Sequence, residues 1–162
     1  MLFKDYIGAD WLEPGYDLNT TKEYLDHMLP IISDLKETIP FDTLALIGYS
    51  GIAIGTLVSW HLKIPVIAVR KEMTHDSYLA FGYRKARRVV LIDDFISSGE
   101  TAQLVFKRIN DFCGAKLVAV LCYRWDKGVH QETVCVDEKT HIPIYGIKPP
   151  EVKWKIKKDF WK

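Results

Sequence analysis

The sequence predicts an α/β fold: a three-layer sandwich with a mostly parallel central sheet. Three observations carry this. Apolar runs of strand length recur at Leu44–Ile47, Pro65–Val69, Arg88–Ile92 and Lys116–Tyr123. These runs are apolar almost throughout rather than alternating, as strands buried on both faces are. Segments of helical character fall between them, which implies right-handed crossovers with helices on both faces of the sheet.

The elements follow in order. Residues 1–18 are aromatic-rich and irregular, with a Glu13-Pro14-Gly15 turn signal. Asn19, Thr20 and Thr21 are N-cap types and Glu23 stands three residues after Thr20, so a helix is expected to begin there. Its apolar positions are Leu25, Met28, Leu29, Ile32 and Leu35; Pro30 lies mid-pattern as a potential kink, and Pro40 closes the helix. Leu44–Ile47 is the first strand and ends in Gly48. Gly51–Leu62 is expected to be a helix that starts in glycine, and Pro65–Val69 is the second strand. Residues 71–87 lose periodicity and carry Lys71, Arg84, Lys85 and Arg87, as a loop would. Arg88–Ile92 is the third strand and ends in Asp93-Asp94. Thr101–Phe112 is a helix stopped by Gly114, and Lys116–Tyr123 is the fourth strand. The tail from Pro149 is basic and aromatic; its expected place is a peripheral strand or flap that packs aromatics on the body.

Length and composition narrow the function classes. At 162 residues the chain is expected to form one domain, 1–162. A chain of this size buries roughly 70% of its unfolded surface, enough for a core without staples. Apolar residues are 48% and charged residues 27%, which argues against disorder. The net charge of +1 gives no reason to expect a nucleic-acid or acidic-membrane partner. No stretch of 18 apolar residues occurs, and the first residues carry no basic segment followed by an apolar run, so neither a membrane span nor a secretory leader is expected. Cys113, Cys122 and Cys135 are odd in number and far apart, as reduced thiols of a cytoplasmic protein would be.

The chemistry concentrates in Val89-Val90-Leu91-Ile92-Asp93-Asp94-Phe95-Ile96-Ser97-Ser98-Gly99-Glu100-Thr101. An apolar strand delivers two carboxylates to the end of the sheet, and a short loop of small residues then enters a helix. Backbone N–H groups from Ile96 to Thr101 would share one concavity at the positive end of the helix dipole. The hydroxyls of Ser97, Ser98 and Thr101 add donors, and Gly99 admits close approach. That is a site for a phosphate dianion. Two carboxylates beside it suit vicinal hydroxyls, or a cation bridging other phosphates. Phosphate and diol together describe a ribose 5-phosphate.

This segment resembles the 5-phosphoribosyl-1-pyrophosphate (PRPP) signature of the type I phosphoribosyltransferases: four apolar residues, two acids, a short hydroxyl-bearing loop, Gly and Thr. The resemblance covers about residues 40–124, the family's core, and implies a small variable hood built from the termini, at about 1–18 and 125–162. It implies that Asp93 and Asp94 act at the catalytic centre, binding the ribose 2- and 3-hydroxyls with Mg²⁺ nearby. It implies a 5-phosphate loop of Ile96, Ser97, Ser98, Gly99, Glu100 and Thr101. Gly48-Tyr49-Ser50-Gly51 falls where the family has its pyrophosphate loop, often with a cis peptide, and Arg70-Lys71 resembles the pair that contacts pyrophosphate in the orotate and adenine branches. Residues 72–87 correspond to the family's mobile loop. The implied reaction moves the phosphoribosyl group from PRPP to a ring nitrogen of a nucleobase, a purine being slightly favoured, and releases pyrophosphate. A homodimer is implied as well.

The resemblance is incomplete. The orotate branch carries a second lysine soon after the Arg-Lys pair, where this chain has Met73, Thr74, His75 and Asp76. Base recognition falls to the hood, with Arg124 and Trp125 as candidates and an indole face suited to stacking on a planar base. A non-catalytic PRPP or nucleotide-binding regulator on the same core is the alternative. A dinucleotide-binding domain fits less well, because Gly48-x-x-Gly51-x-x-x-Gly55 is not the Gly-x-Gly-x-x-Gly spacing. A receiver-like domain holding metal on Asp93 and Asp94 is disfavoured by the phosphate loop beside them.

Overall fold

The computed structural model describes residues 18–72, 78–123 and 132–146. The hood segments 1–17 and 147–162, His75, and the candidate base-binding residues Arg124 and Trp125 lie outside the described residues. Helix α1 spans Leu18–Thr38 and carries Pro30 inside it. Met28, Ile32 and Leu35, spaced four and three apart, are its buried stripe. Strand β1 (Thr43–Ile47) is buried at every position. Helix α2 follows at once, Gly48–Leu62, and leads to β2, Val66–Val69. β3 (Ala80–Gly82), β4 (Arg88–Asp93), α3 (Glu100–Cys113) and β5 (Lys116–Cys122) come next, then a β6–β7 pair, Thr133–Cys135 and His141–Gly146.

The seven strands form one sheet in the order β3-β2-β1-β4-β5-β7-β6. β2, β1, β4, β5 and β7 run parallel, while the edge strands β3 and β6 run antiparallel to their neighbours. α1 and α2 cover one face: Met28, Ile32, Ile54 and Val58 pack with Leu44, Leu46, Val90 and Ile92. α3 covers the other, where Ala102, Val105 and Ile109 pack with Ala45, Ile47, Val89 and Leu91. Alternate residues of the central strands therefore feed opposite cores, and only strands apolar throughout satisfy both.

Two parts of this sheet go beyond the expected four strands. β3 lies inside the 71–87 stretch read as a loop; three residues paired on an edge are too short to show a period. The β6–β7 pair lies in the region assigned to the hood, and β7 pairs with β5 to extend the sheet itself. Helix α2 also starts three residues earlier than expected, at Gly48. A Cβ on Gly51 would stand 2.8 Å from the Ile92 carbonyl oxygen, so glycine there lets the first turn of α2 lie directly on β4.

The chain runs from β1 outward to β2 and then returns to β4 on the other side of β1. Strand order therefore reverses between β1 and β4. In open α/β sheets a crevice opens at such a reversal, beyond the carboxyl ends of the strands.

Candidate functional site

Both sides of that crevice are built by the turns leaving β1 and β4. β4 is buried from Val89 to Asp93, which carries the carboxylate of Asp93 to the sheet end with only 6% of the residue exposed. Asp94 follows, half-buried. The acids are held by their own backbone: Asp93 Oδ1 accepts the Asp94 N–H at 3.0 Å, and Asp94 Oδ1 accepts the Phe95 N–H at 3.0 Å. The loop then turns through Gly99 at φ 84 and enters α3. No side chain caps α3 from the Gly99 position, so the dipole end of the helix opens toward the loop.

A cavity of about 130 Å³ lies at this point, lined by Ile47, Gly48, Ser50, Lys71, Asp93, Asp94, Phe95, Ile96, Ser97, Ser98, Gly99 and Thr101. The structure thus brings Asp93, Asp94, Ile96, Ser97, Ser98, Gly99 and Thr101 together with Ser50 and Lys71 around one space. Ser98 Oγ also accepts the Glu100 N–H at 3.4 Å. Lys71 reaches across from the end of β2: its Cε lies 3.9 Å from where a Gly48 Cβ would stand.

Four candidates do not line the cavity. Tyr49 is 89% exposed. Gly51 is packed on β4. Arg70 places its guanidinium over the Phe81 ring, 5.6 Å from the centroid. Glu100 is exposed on the first turn of α3. Gly48-Tyr49-Ser50-Gly51 is the opening turn of α2 rather than a free loop, and no cis peptide occurs among the described residues.

The electrostatics of the acid pair are lopsided. Burial, with the charge and hydrogen bond of Asp94 added, pushes the Asp93 carboxyl up to about 8, against the opposing pull of the Asp94 N–H and Lys71. Asp93 therefore holds a proton more readily than an ordinary carboxyl, and a protonated carboxyl donates as well as accepts.

Three residues not expected from the sequence complete the site. Cys122, paired with Asp93 across the β4–β5 ladder, lies buried beneath the loop. Its thiol is bonded by the Ile96 N–H; burial, with Asp93 and Asp94 adding to it, pushes the thiol up to about 12. It is a neutral support for the loop, and the Ile96 N–H is committed to it. Val134 of β6 walls the loop from behind, its Cγ2 2.7 Å from a Cβ built on Gly99. Arg108 of α3 donates Nη2 to the Lys71 carbonyl at 2.8 Å and so ties the end of β2 to α3. A register position at a strand end was the available signal for Cys122; nothing local marks Arg108 or Val134.

The fold is that of the type I phosphoribosyltransferases. It is shared with orotate phosphoribosyltransferase from Francisella tularensis, 19% identical over 82% of this chain and 67% of that one, with a TM-score of 0.57. Adenine phosphoribosyltransferase from Saccharomyces cerevisiae, solved with an imino-altritol bisphosphate and adenine, is 15% identical over 82% and 80% of the two chains, TM-score 0.58. Mycobacterium tuberculosis orotate phosphoribosyltransferase, solved with PRPP, is 16% identical over 69% and 64%, TM-score 0.53. By sequence, the chain is 30% identical over 129 residues to the transcriptional regulator GfcR of Methanocaldococcus jannaschii, a match covering 71% of this chain. The chain spans 58% of that regulator's length. No protein-family model matches the chain.

Proposed function

We propose that the chain binds PRPP and transfers its 5-phosphoribosyl group to a nucleobase, releasing pyrophosphate. The observation that carries this reading is the joint lining of one cavity by the Asp93-Asp94 pair, the Ser97–Thr101 turn and Lys71. A sugar diol, a terminal phosphate and a second anionic group each meet a chemically suited partner there.

The Ser97, Ser98 and Thr101 hydroxyls and the open N–H groups at the start of α3 hold the 5-phosphate, where helix dipole and donors act together. Asp93 and Asp94 hold the ribose hydroxyls. Lys71, a compact positive charge, faces the pyrophosphate from the opposite lip, beside Gly48 and Ser50. As the bond from C1 to pyrophosphate breaks, negative charge grows on the leaving group and positive charge on the ring. Lys71 lies on the side of the first and the acid pair on the side of the second, so fixed charges favour the transition state over the ground state. Holding the sugar at both ends fixes C1 against the incoming nitrogen. Two adjacent carboxylates also fit Mg²⁺, which takes one or two protein oxygens and completes its shell with water and phosphate; Asp93 and Asp94 would hold it, and it would supply charge neutralisation to the pyrophosphate. Base recognition is assigned to Arg124 and Trp125, with a purine slightly preferred.

A second reading has its own support. The likeness to a transcriptional regulator favours a PRPP or nucleotide-binding regulator that uses the same cavity without turnover. One experiment separates the two: the protein is mixed with PRPP, Mg²⁺ and each of adenine, guanine, hypoxanthine, xanthine, uracil and orotate, and pyrophosphate is measured beside calorimetric binding of PRPP. Pyrophosphate release with one base supports transfer. PRPP binding with no release from any base supports the regulator. Absence of PRPP binding overturns both.

A further inference from the structure

Strand β5 carries one residue more than its partner can match. Val89 of β4 stands opposite Leu117, yet the next residue, Val90, stands opposite Ala119, so Val118 is bulged out of the β4–β5 ladder. The two cores record the step. Leu117 feeds the α3 side, Val118 and Ala119 both feed the α1–α2 side, and Val120, Leu121 and Cys122 then alternate again. Had β5 kept the register of Leu117, Leu121 would oppose Asp93 and Cys122 would face α1 and α2. The bulge instead sets Cys122 opposite Asp93, on the α3 side and beneath the loop that leaves β4. A bulge beside a functional site re-aims a side chain in this way.

What Cys122 meets there is the joint of the candidate site. The acids Asp93-Asp94 and the turn Ser97–Thr101 are the two halves of the cavity lining, and only Phe95 and Ile96 connect them. The Asp94 N–H bonds Asp93 and the Phe95 N–H bonds Asp94. Both bonds join neighbours in the chain and leave the joint free to shift as a unit. The Ile96 N–H is different: its acceptor is the Cys122 sulfur, on the sheet. Ile96 also buries its side chain in the α3 core. Apolar burial is non-directional, whereas a hydrogen bond fixes the distance and angle of the backbone that makes it. The bond to Cys122 therefore sets where the joint lies over β5.

Given the sugar phosphate placed in the cavity above, on which this step rests, we infer that Cys122 is a positioning residue that fixes the span between the diol half and the phosphate half of the site. A ligand that bridges both halves gains from a preset span, because its second contact needs no further ordering of the chain. A ligand that fills one half gains nothing from it. The thiol suits this place. It accepts the Ile96 N–H while adding no charge beside two carboxylates, where a third acid would be repelled.

The test is calorimetric titration of wild type, Cys122→Ala and Cys122→Ser, each with ribose 5-phosphate and with inorganic phosphate. Wild type is expected to bind ribose 5-phosphate more tightly than phosphate. Cys122→Ala removes the acceptor and is expected to weaken ribose 5-phosphate about five-fold, the effect of one lost hydrogen bond, while leaving phosphate unchanged. Cys122→Ser keeps an acceptor and should recover most of the loss. Amide exchange of the unliganded wild type needs no variant: the Ile96 N–H should exchange more slowly than those of Ser97 and Ser98. Four results would overturn the inference and leave the reading of the cavity standing: an alanine variant that weakens both ligands alike, one that weakens neither, a serine variant as weak as alanine, or an Ile96 amide that exchanges as fast as its neighbours. A wild type that binds ribose 5-phosphate no better than phosphate overturns that reading, and the inference with it.

Discussion

Two turns leave the same end of the sheet from neighbouring strands, and they are built in opposite ways. β1 passes into α2 without a loop: Ile47 ends the strand and Gly48, at φ 67, opens the helix. β4 reaches α3 only after six residues, Asp94 to Gly99. In the first turn the chain is spent on helix and on close packing, with Gly51 lying on β4. In the second the backbone stays outside any ladder, and its donors and hydroxyls face a cavity. A concave anion site needs chain length that secondary structure has not consumed. The β1–α2 turn therefore contributes one lip of the cavity, Gly48 and Ser50, while the β4–α3 turn contributes most of its lining.

Sharpening that contrast starts with chemistry. Changing Asp93 and Asp94 together to Asn should lower pyrophosphate release by on the order of 10³-fold, the scale of lost preorganised charge at a reacting centre. Circular dichroism should show the fold intact. A double variant that turns over normally would move the working residues elsewhere.

Glycine substitutions come next. Gly51→Val should cost on the order of 1–3 kcal/mol by pushing the first turn of α2 off a backbone carbonyl that cannot yield. Gly99→Val meets a 2.7 Å contact with Val134 and must hold φ 84, so a similar loss is expected from strain and crowding together. Urea unfolding measures both. Only the second should also raise the PRPP concentration needed for half-saturation of the folded protein.

The pH dependence of stability is a smaller lever. Folding raises the Asp93 carboxyl from 3.8 to about 8, so the folded chain holds a proton that the unfolded chain releases. Stability from this group is full below pH 3.8 and is lost as pH rises through 8. Between pH 5 and 8 the unliganded protein should lose stability steadily as pH rises, and Asp93→Asn should flatten that slope. Thermal melts across this range decide it.

The smallest expected effect belongs to Arg108. Arg108→Met keeps most of the stem but drops one hydrogen bond to the Lys71 carbonyl, worth about 1 kcal/mol, so PRPP affinity should fall about five-fold. An unchanged affinity would mean that Lys71 holds its place without the tether.

The same contrast governs what could be read in advance. The β4–α3 turn was legible because each of its properties sits in consecutive residues: an apolar strand, two acids, hydroxyls, a glycine. The parallel centre was legible because strands that serve two cores must be apolar at nearly every position. Gly48-Tyr49-Ser50-Gly51 looked like loop punctuation, yet one glycine made the whole turn and the other three residues were free to be helix. β3 and the β6–β7 pair were not legible, because three-residue edge strands are fixed by their partners rather than by any local period. Cys122, Arg108 and Val134 meet the site only through the fold.

The account rests on the β4–α3 turn gripping a sugar phosphate. Titrating ribose 5-phosphate, which lacks the pyrophosphate, into the ¹⁵N-labelled protein tests this most directly. Saturable shifts in the amide signals of Ser97 to Thr101, with those of Gly48 to Gly51 nearly still, are the predicted result. Saturable shifts confined to other parts of the chain, or none at millimolar ligand, would contradict it.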